Sequence, residues 1–151
     1  MVKAPLSVLR LIAAGQPPIT SAIARSRLVV YVVENDDAVR DSIRALLESC
    51  GYFVVCCPRA TDFLAGLAGT ERGSLVLEHH LPDSSGYDVL AKMRNRGVFL
   101  STIMTTDALD PTVKDRAIEA GAHTLLIKPW TADDLIRALE LAQQVDRSLV
   151  H

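Results

Sequence analysis

Leu28-Val29-Val30-Tyr31-Val32-Val33-Glu34-Asn35-Asp36-Asp37 opens the regular part of the chain. Its first six residues form an unbroken apolar run rich in valine. A half-exposed strand would alternate, so the run reads as a strand buried on both faces. It ends abruptly in polar residues, and then Val39, Ile43, Leu46, Leu47 and Cys50 recur at helical spacing, with Gly51 as the stop. A doubly buried strand followed by an amphipathic helix is the first half of a β-α unit.

The same unit repeats outward. Tyr52 to Cys57 reads as a second strand, and Phe63, Leu64 and Leu67 mark a short helix ending near Gly69. Leu75 to Leu77 form a third strand; Ser85 then suits the N-cap of a helix carrying Val89, Leu90 and Met93, with Gly97 behind it. Thr102 to Thr105 is a fourth strand, and Asp110-Pro111 suits the cap and first position of a helix with Val113, Ala117 and Ile118. Leu125 to Ile127 is the fifth strand. Thr131 with Asp134 resembles a capping box, with Asp in place of the usual Glu or Gln, ahead of a helix bearing Leu135, Leu139, Ala142 and Val145. Five strands alternating with helices predict an α/β fold whose parallel sheet is covered on both faces.

With 151 residues, the chain suits one domain and a single core. Aromatics make up only 5%, so aliphatic residues must build that core. A net charge of −2 gives no reason to expect DNA binding, and no apolar run reaches bilayer-spanning length. Cys50, Cys56 and Cys57 are an odd number in a chain without a convincing secretory signal, which favours free thiols and a cytoplasmic setting. Adjacent Cys56 and Cys57 are expected on opposite faces of a strand, and packing is preferred to a redox role.

Residues 1–27 differ from the remainder, with Lys3, Arg10, Arg25 and Arg27 but no acid. Four readings stand open for this basic extension: a disordered tail, a short docking helix, a weak membrane-surface anchor, or residues of an upstream start that add nothing. The tail reading is taken first. Residues 28–146 carry the regular pattern, and 147–151 are read as a C-terminal tail.

In an open parallel sheet, ligands gather beyond the carboxyl ends of the strands. Those ends are polar here: Glu34-Asn35-Asp36-Asp37 after the first strand, Glu78 after the third, Thr105-Thr106 after the fourth and Lys128-Pro129 after the fifth. Their joint placement is the strongest site signal in the sequence. A plain ion-pair cluster without any ligand accounts for the same residues, because buried charges need partners.

At these residues the chain resembles the receiver domain of bacterial two-component response regulators, relatives of the chemotaxis receiver. Val32 to Arg40 matches the first strand and its acidic turn. Leu75-Val76-Leu77-Glu78-His79-His80-Leu81-Pro82-Asp83-Ser84-Ser85-Gly86 matches the acceptor strand and its loop, and Ala120-Gly121-Ala122 with Lys128-Pro129-Trp130 matches the closing lysine–proline signature. The resemblance implies a flavodoxin-like, doubly wound five-stranded sheet of order 2-1-3-4-5. It also implies an aspartate that accepts a phosphoryl group from a histidine kinase, two acids that hold Mg²⁺, and a hydroxyl and a lysine that bind phosphoryl oxygens. By that resemblance Thr106 is the hydroxyl, Lys128 the lysine, and Lys128–Pro129 a cis peptide.

Three positions depart from the family pattern. Glu78 stands at the acceptor position, Glu34-Asn35 replaces two aspartates, and Leu125 replaces an aromatic switch residue. The extra methylene of Glu78 moves its carboxylate by roughly one bond length, about 1.5 Å. A misplacement of about 1 Å costs on the order of a hundredfold in an aligned reaction. The longer arm also brings a negative oxygen toward Thr106 and Lys128, a partial imitation of a phosphoryl oxygen. Neutral Asn35 at the metal position, with Asp36 displaced by one step, leads us to expect weak Mg²⁺ binding or none, and no other cofactor. A softer metal on His79-His80 with Glu78 is disfavoured because neighbouring side chains diverge.

These features point to a non-enzymatic, atypical single-domain response regulator that acts by protein–protein contact. The expected contacts are Glu78–Lys128 and Glu78–Thr106. The expected partners are a histidine kinase, another signalling protein, or a second copy through the fourth helix, fifth strand and fifth helix, with neither DNA nor membrane. The alternatives are a working acceptor that uses Glu78 and a redox or small-ligand sensor.

Overall fold

The computed structural model describes residues 28–149, so the expectations for residues 1–27 fall outside the described residues. Five strands, β1 (Val29–Val33), β2 (Phe53–Cys57), β3 (Ser74–Glu78), β4 (Ser101–Thr106) and β5 (Thr124–Ile127), alternate with α1 (Asp37–Ser49), α2 (Ala60–Ala65), α3 (Gly86–Asn95), α4 (Thr112–Ala120) and α5 (Ala132–Leu149). All pairings are parallel and the order is β2-β1-β3-β4-β5, the flavodoxin-like arrangement. The last helix runs through Leu149, into the 147–151 segment read as a tail.

Strand alternation divides the core in two. Tyr31, Val33, Leu75, Leu77, Met104 and Leu125 pack with Phe63 of α2, Val89, Leu90 and Met93 of α3, and Val113 and Ala117 of α4. Val30, Val32, Val76 and Ile103 pack on the other face with Ile43 and Leu47 of α1 and Leu135, Leu139 and Ala142 of α5. Every residue of β3 is buried, because helices cover both of its sides. Each large aliphatic side chain buried in this way contributes about 1.5–3 kcal/mol relative to exposure. Cys56 packs against the α1–α5 cluster and Cys57 against the other, on opposite faces.

The helix starts follow local chemistry. Asp36 Oδ1 accepts from Val39 N at 3.0 Å, and Ser85 Oγ accepts from Asp88 N at 3.2 Å. Thr131 and Asp134 make a reciprocal capping box, at 2.9 and 3.1 Å, with Asp in the Glu position. Asp110 Oδ1 accepts from Thr112 N at 2.9 Å and so caps α4 from a residue beyond Pro111. The first of these caps directs the carboxyl end of β1 into α1, which sets the entrance to the site.

Candidate functional site

The period-2 alternation of parallel strands decides which side chains meet. Glu34 continues the Val30–Val32 side of β1, and Glu78 continues the Ser74–Val76 side of β3. Thr105 follows Ser101 and Ile103 on β4, and Lys128 follows Leu126 beyond β5. The register pairs Glu78 with Thr105, so these four residues project from the α1–α5 face at the carboxyl ends of adjacent strands.

Their atoms are in contact. Lys128 Nζ lies 2.7 Å from Glu78 Oε2 and 3.3 Å from Glu34 Oε1, and Thr105 Oγ1 donates to Glu78 Oε2 at 3.1 Å. Glu34 and Glu78 are 2% and 5% exposed, so water does little to share their charge. Two carboxylates therefore face one ammonium in a desolvated corner. Burial, and then the charge and hydrogen bonding of Glu78, push the Glu34 carboxyl up to about 7 against the pull of Lys128. Burial works against the Lys128 ammonium, but Glu78 and Glu34 outweigh it and raise its pKa. Arg40, from α1, donates to the Glu34 carbonyl at 2.9 Å and pins the first turn beside the cluster.

The structure therefore brings Glu34, Glu78 and Lys128 together but corrects the expected Glu78–Thr106 contact. Thr106 follows Met104 on the opposite face of β4, and its Oγ1 lies 3.1 Å from His79 Nδ1. Thr105 takes its place at Glu78. The sequence held this signal: position 105, not 106, shares strand parity with Ile103, which packs under the α1–α5 side. Leu125 is buried with the other cluster, and the Lys128–Pro129 peptide is cis.

Asn35 and Asp36 are exposed and stand outside the cluster. The side chain of Asp36 serves the helix cap, so it does not supplement Glu34. Mg²⁺ asks for several hard oxygens in near-octahedral geometry. Here the carboxylate oxygens nearest the strand ends are engaged by Lys128. Among the described residues no group of three or more His, Cys, Asp and Glu side chains is placed to hold a metal ion, His79-His80 included. The donor set does not fit Mg²⁺.

Two further residues shape the loop after β3. Asp83 accepts from Ala60 N at 3.1 Å, from Thr61 N at 2.9 Å and from the Thr61 hydroxyl, and so caps α2 from across the fold. The Thr61 bonds, strongest among these, hold its carboxyl down at about 2. Gly86 N donates to His79 O at 2.9 Å, and a Cβ on Gly86 would lie 3.1 Å from the Glu78 carbonyl oxygen. The glycine thus allows α3 to start against the tip of β3. Cys50, Cys56 and Cys57 are unpaired, and burial pushes the Cys57 thiol up, away from the reactive thiolate.

A five-stranded 2-1-3-4-5 sheet with paired acids and a lysine at its carboxyl edge is the geometry that separates one α/β family from the others. Residues 30–140 match the response regulator receiver domain. The chain belongs to that family. The response regulator protein TmoT of Ectopseudomonas mendocina is 33% identical over 114 residues, which cover 76% of this chain and 52% of that protein. The transcriptional regulatory protein FixJ of Azorhizobium caulinodans is 34% identical over 112 residues, 74% of this chain and 53% of the relative. This receiver spans about half the length of the curated relatives it matches. The crystal structure of FixJ-N aligns with a TM-score of 0.72 at 28% identity, covering 78% of this chain and 94% of FixJ-N. The receiver is thus a component of two-component signalling. Among its described residues no helix is long and apolar enough to cross a membrane.

Proposed function

We propose that this receiver signals by protein–protein interaction in a state set by its own side chains, without ordinary phosphoryl transfer. The observation that carries this reading is the 2.7 Å Glu78–Lys128 pair, backed by Glu34 at 3.3 Å. The lysine that a phosphoryl group would need is already neutralised by a carboxylate on a longer arm. An incoming phosphoryl group would meet two buried carboxylates and a donor set poorly suited to Mg²⁺, so its charge would go largely uncompensated.

The face formed by α4, β5 and α5 supports the partner side of the reading. It exposes Ile118, Ile127, Leu141 and Val145 at 44, 47, 55 and 50%, on an edge strand and its flanking helices. A histidine kinase, another signalling protein or a second copy of the chain would cover this surface.

Intact mass spectrometry after incubation with a small phosphodonor and Mg²⁺ tests the proposal. The expected result is an unmodified mass. Stoichiometric acyl phosphate on Glu78 in the unaltered protein would replace this reading with that of a working acceptor.

A further inference from the structure

Thr106 is fully buried, so its hydroxyl must find partners inside the protein. Ala108 N donates to Thr106 Oγ1 at 3.0 Å, and His79 Nδ1 lies 3.1 Å away on the other side. The Ala108 N–H takes one lone pair, and in the Nε2-protonated tautomer of His79 the hydroxyl proton has Nδ1 as its acceptor. Burial, followed by His80, lowers the pKa of His79, which keeps the imidazole neutral and able to accept.

The His79 backbone is itself fixed, donating to Thr105 O at 2.8 Å and accepting from Gly86 N at 2.9 Å. Its ring meets Tyr87 of α3 edge-on, at 5.0 Å between centroids. The Arg116 guanidinium of α4 sits 4.4 Å above the same tyrosine ring, and Tyr87 Oη donates to Val113 O at 3.4 Å. One side-chain stack therefore runs from the tip of β3 to α4, with Thr106 at one end and Arg116 at the other.

We propose that His79 is a positioning residue that latches the Thr106 hydroxyl on the α3–α4 side of the sheet, away from Glu78 and Lys128, and that Tyr87 and Arg116 tie this latch to α4. Freeing Thr106 requires His79 to let go, and displacing α4 disturbs the ring on which His79 rests. The latch stands whether or not Glu78 accepts a phosphoryl group, and its test needs no phosphodonor.

The test is the side-chain rotamer of Thr106 in the full-length labelled protein, read from the three-bond couplings of Cγ2 to the backbone nitrogen and carbonyl carbon. The unaltered protein is expected to show a single rotamer. His79→Asn, whose Oδ1 replaces Nδ1 as acceptor, keeps it, whereas His79→Phe, which preserves the ring but not the acceptor, collapses the couplings toward their averaged values. Tyr87→Leu, which does not touch Thr106, is expected to average them in part; unchanged couplings there would detach α4 from the latch and overturn that half. Identical couplings in the unaltered protein and His79→Phe would overturn the latch itself. Thr106→Val gives a second reading that does not depend on the fold tolerating a change at position 79. It should shift the imidazole ¹⁵N signals of His79, and unmoved signals would also count against the latch.

Discussion

The two ends of the sheet solve the same problem, buried polar groups, in opposite ways. At the amino end of β4, Ser101 donates to one oxygen of Asp146 and His123 Nε2 pairs with the other at 2.9 Å, while Thr102 N donates to His123 Nδ1 at 3.2 Å. Beside them Gln143 donates to Ser74 at 3.2 Å and to Tyr52 at 3.4 Å. Each acceptor meets a donor, and the one carboxylate is 40% exposed. At the carboxyl end, two almost fully buried carboxylates share one ammonium. The amino-end network fastens α5 to the strands. The carboxyl-end cluster sets two buried acids against one ammonium, with the Glu34 carboxyl pushed up to about 7, and perturbed groups of this kind gather at functional sites.

Removing the ammonium should break this contrast most severely. Lys128→Met leaves Glu34 and Glu78 buried without a counter-charge, and a loss of about 3 kcal/mol or more is expected at pH 8, read from urea denaturation. A loss well under 1 kcal/mol would mean that the carboxylates are not charged together in the folded protein.

The pH dependence sharpens the same point. The folded-state value of Glu34 is raised from 4.5 to about 7, so the folded protein holds a proton there that the unfolded chain releases. Its contribution is therefore fully present below about 4.5 and is lost as the pH rises to about 7. Glu34→Gln should flatten that part of the stability-against-pH curve, removing a change of about 3 kcal/mol. A slope unchanged by the substitution would place the proton elsewhere.

At the amino end the expected effects are smaller. Asp146→Ala removes the acceptor for Ser101 and His123 and should cost about 1–2 kcal/mol in the same denaturation measurement. Thr105→Val deletes one neutral donor to Glu78 while the ammonium remains, and about 1 kcal/mol is expected. If Thr105→Val proved costlier than Lys128→Met, the carboxyl end would depend on its hydroxyl more than on its lysine.

Much of this contrast was legible in the sequence. Leu28 to Val33 and the alternation of apolar runs with helical spacing predict the sheet, because burial on both faces leaves a composition that few other strands share. Glu34, Glu78 and Lys128 could be placed together because parallel strands must all point their carboxyl ends the same way. The expected Glu78–Thr106 contact fails because the alternation of β4 sends Thr106 to the face opposite Glu78 and leaves Thr105 beside it. The Asp83 cap on α2 and the His79–Tyr87–Arg116 stack had no sequence signal, since each joins elements far apart in the chain.

The sequence alone determined the α/β class, the strand ends that carry charge and the caps of α3, α4 and α5. All of these depend on local periodicity and on hydrogen bonds between near neighbours. Only the tertiary structure decided that Lys128 bridges both glutamates and that Thr105 and Thr106 face different partners. Those outcomes depend on which groups from separate strands and helices come within about 3 Å of one another, and no local preference encodes that distance.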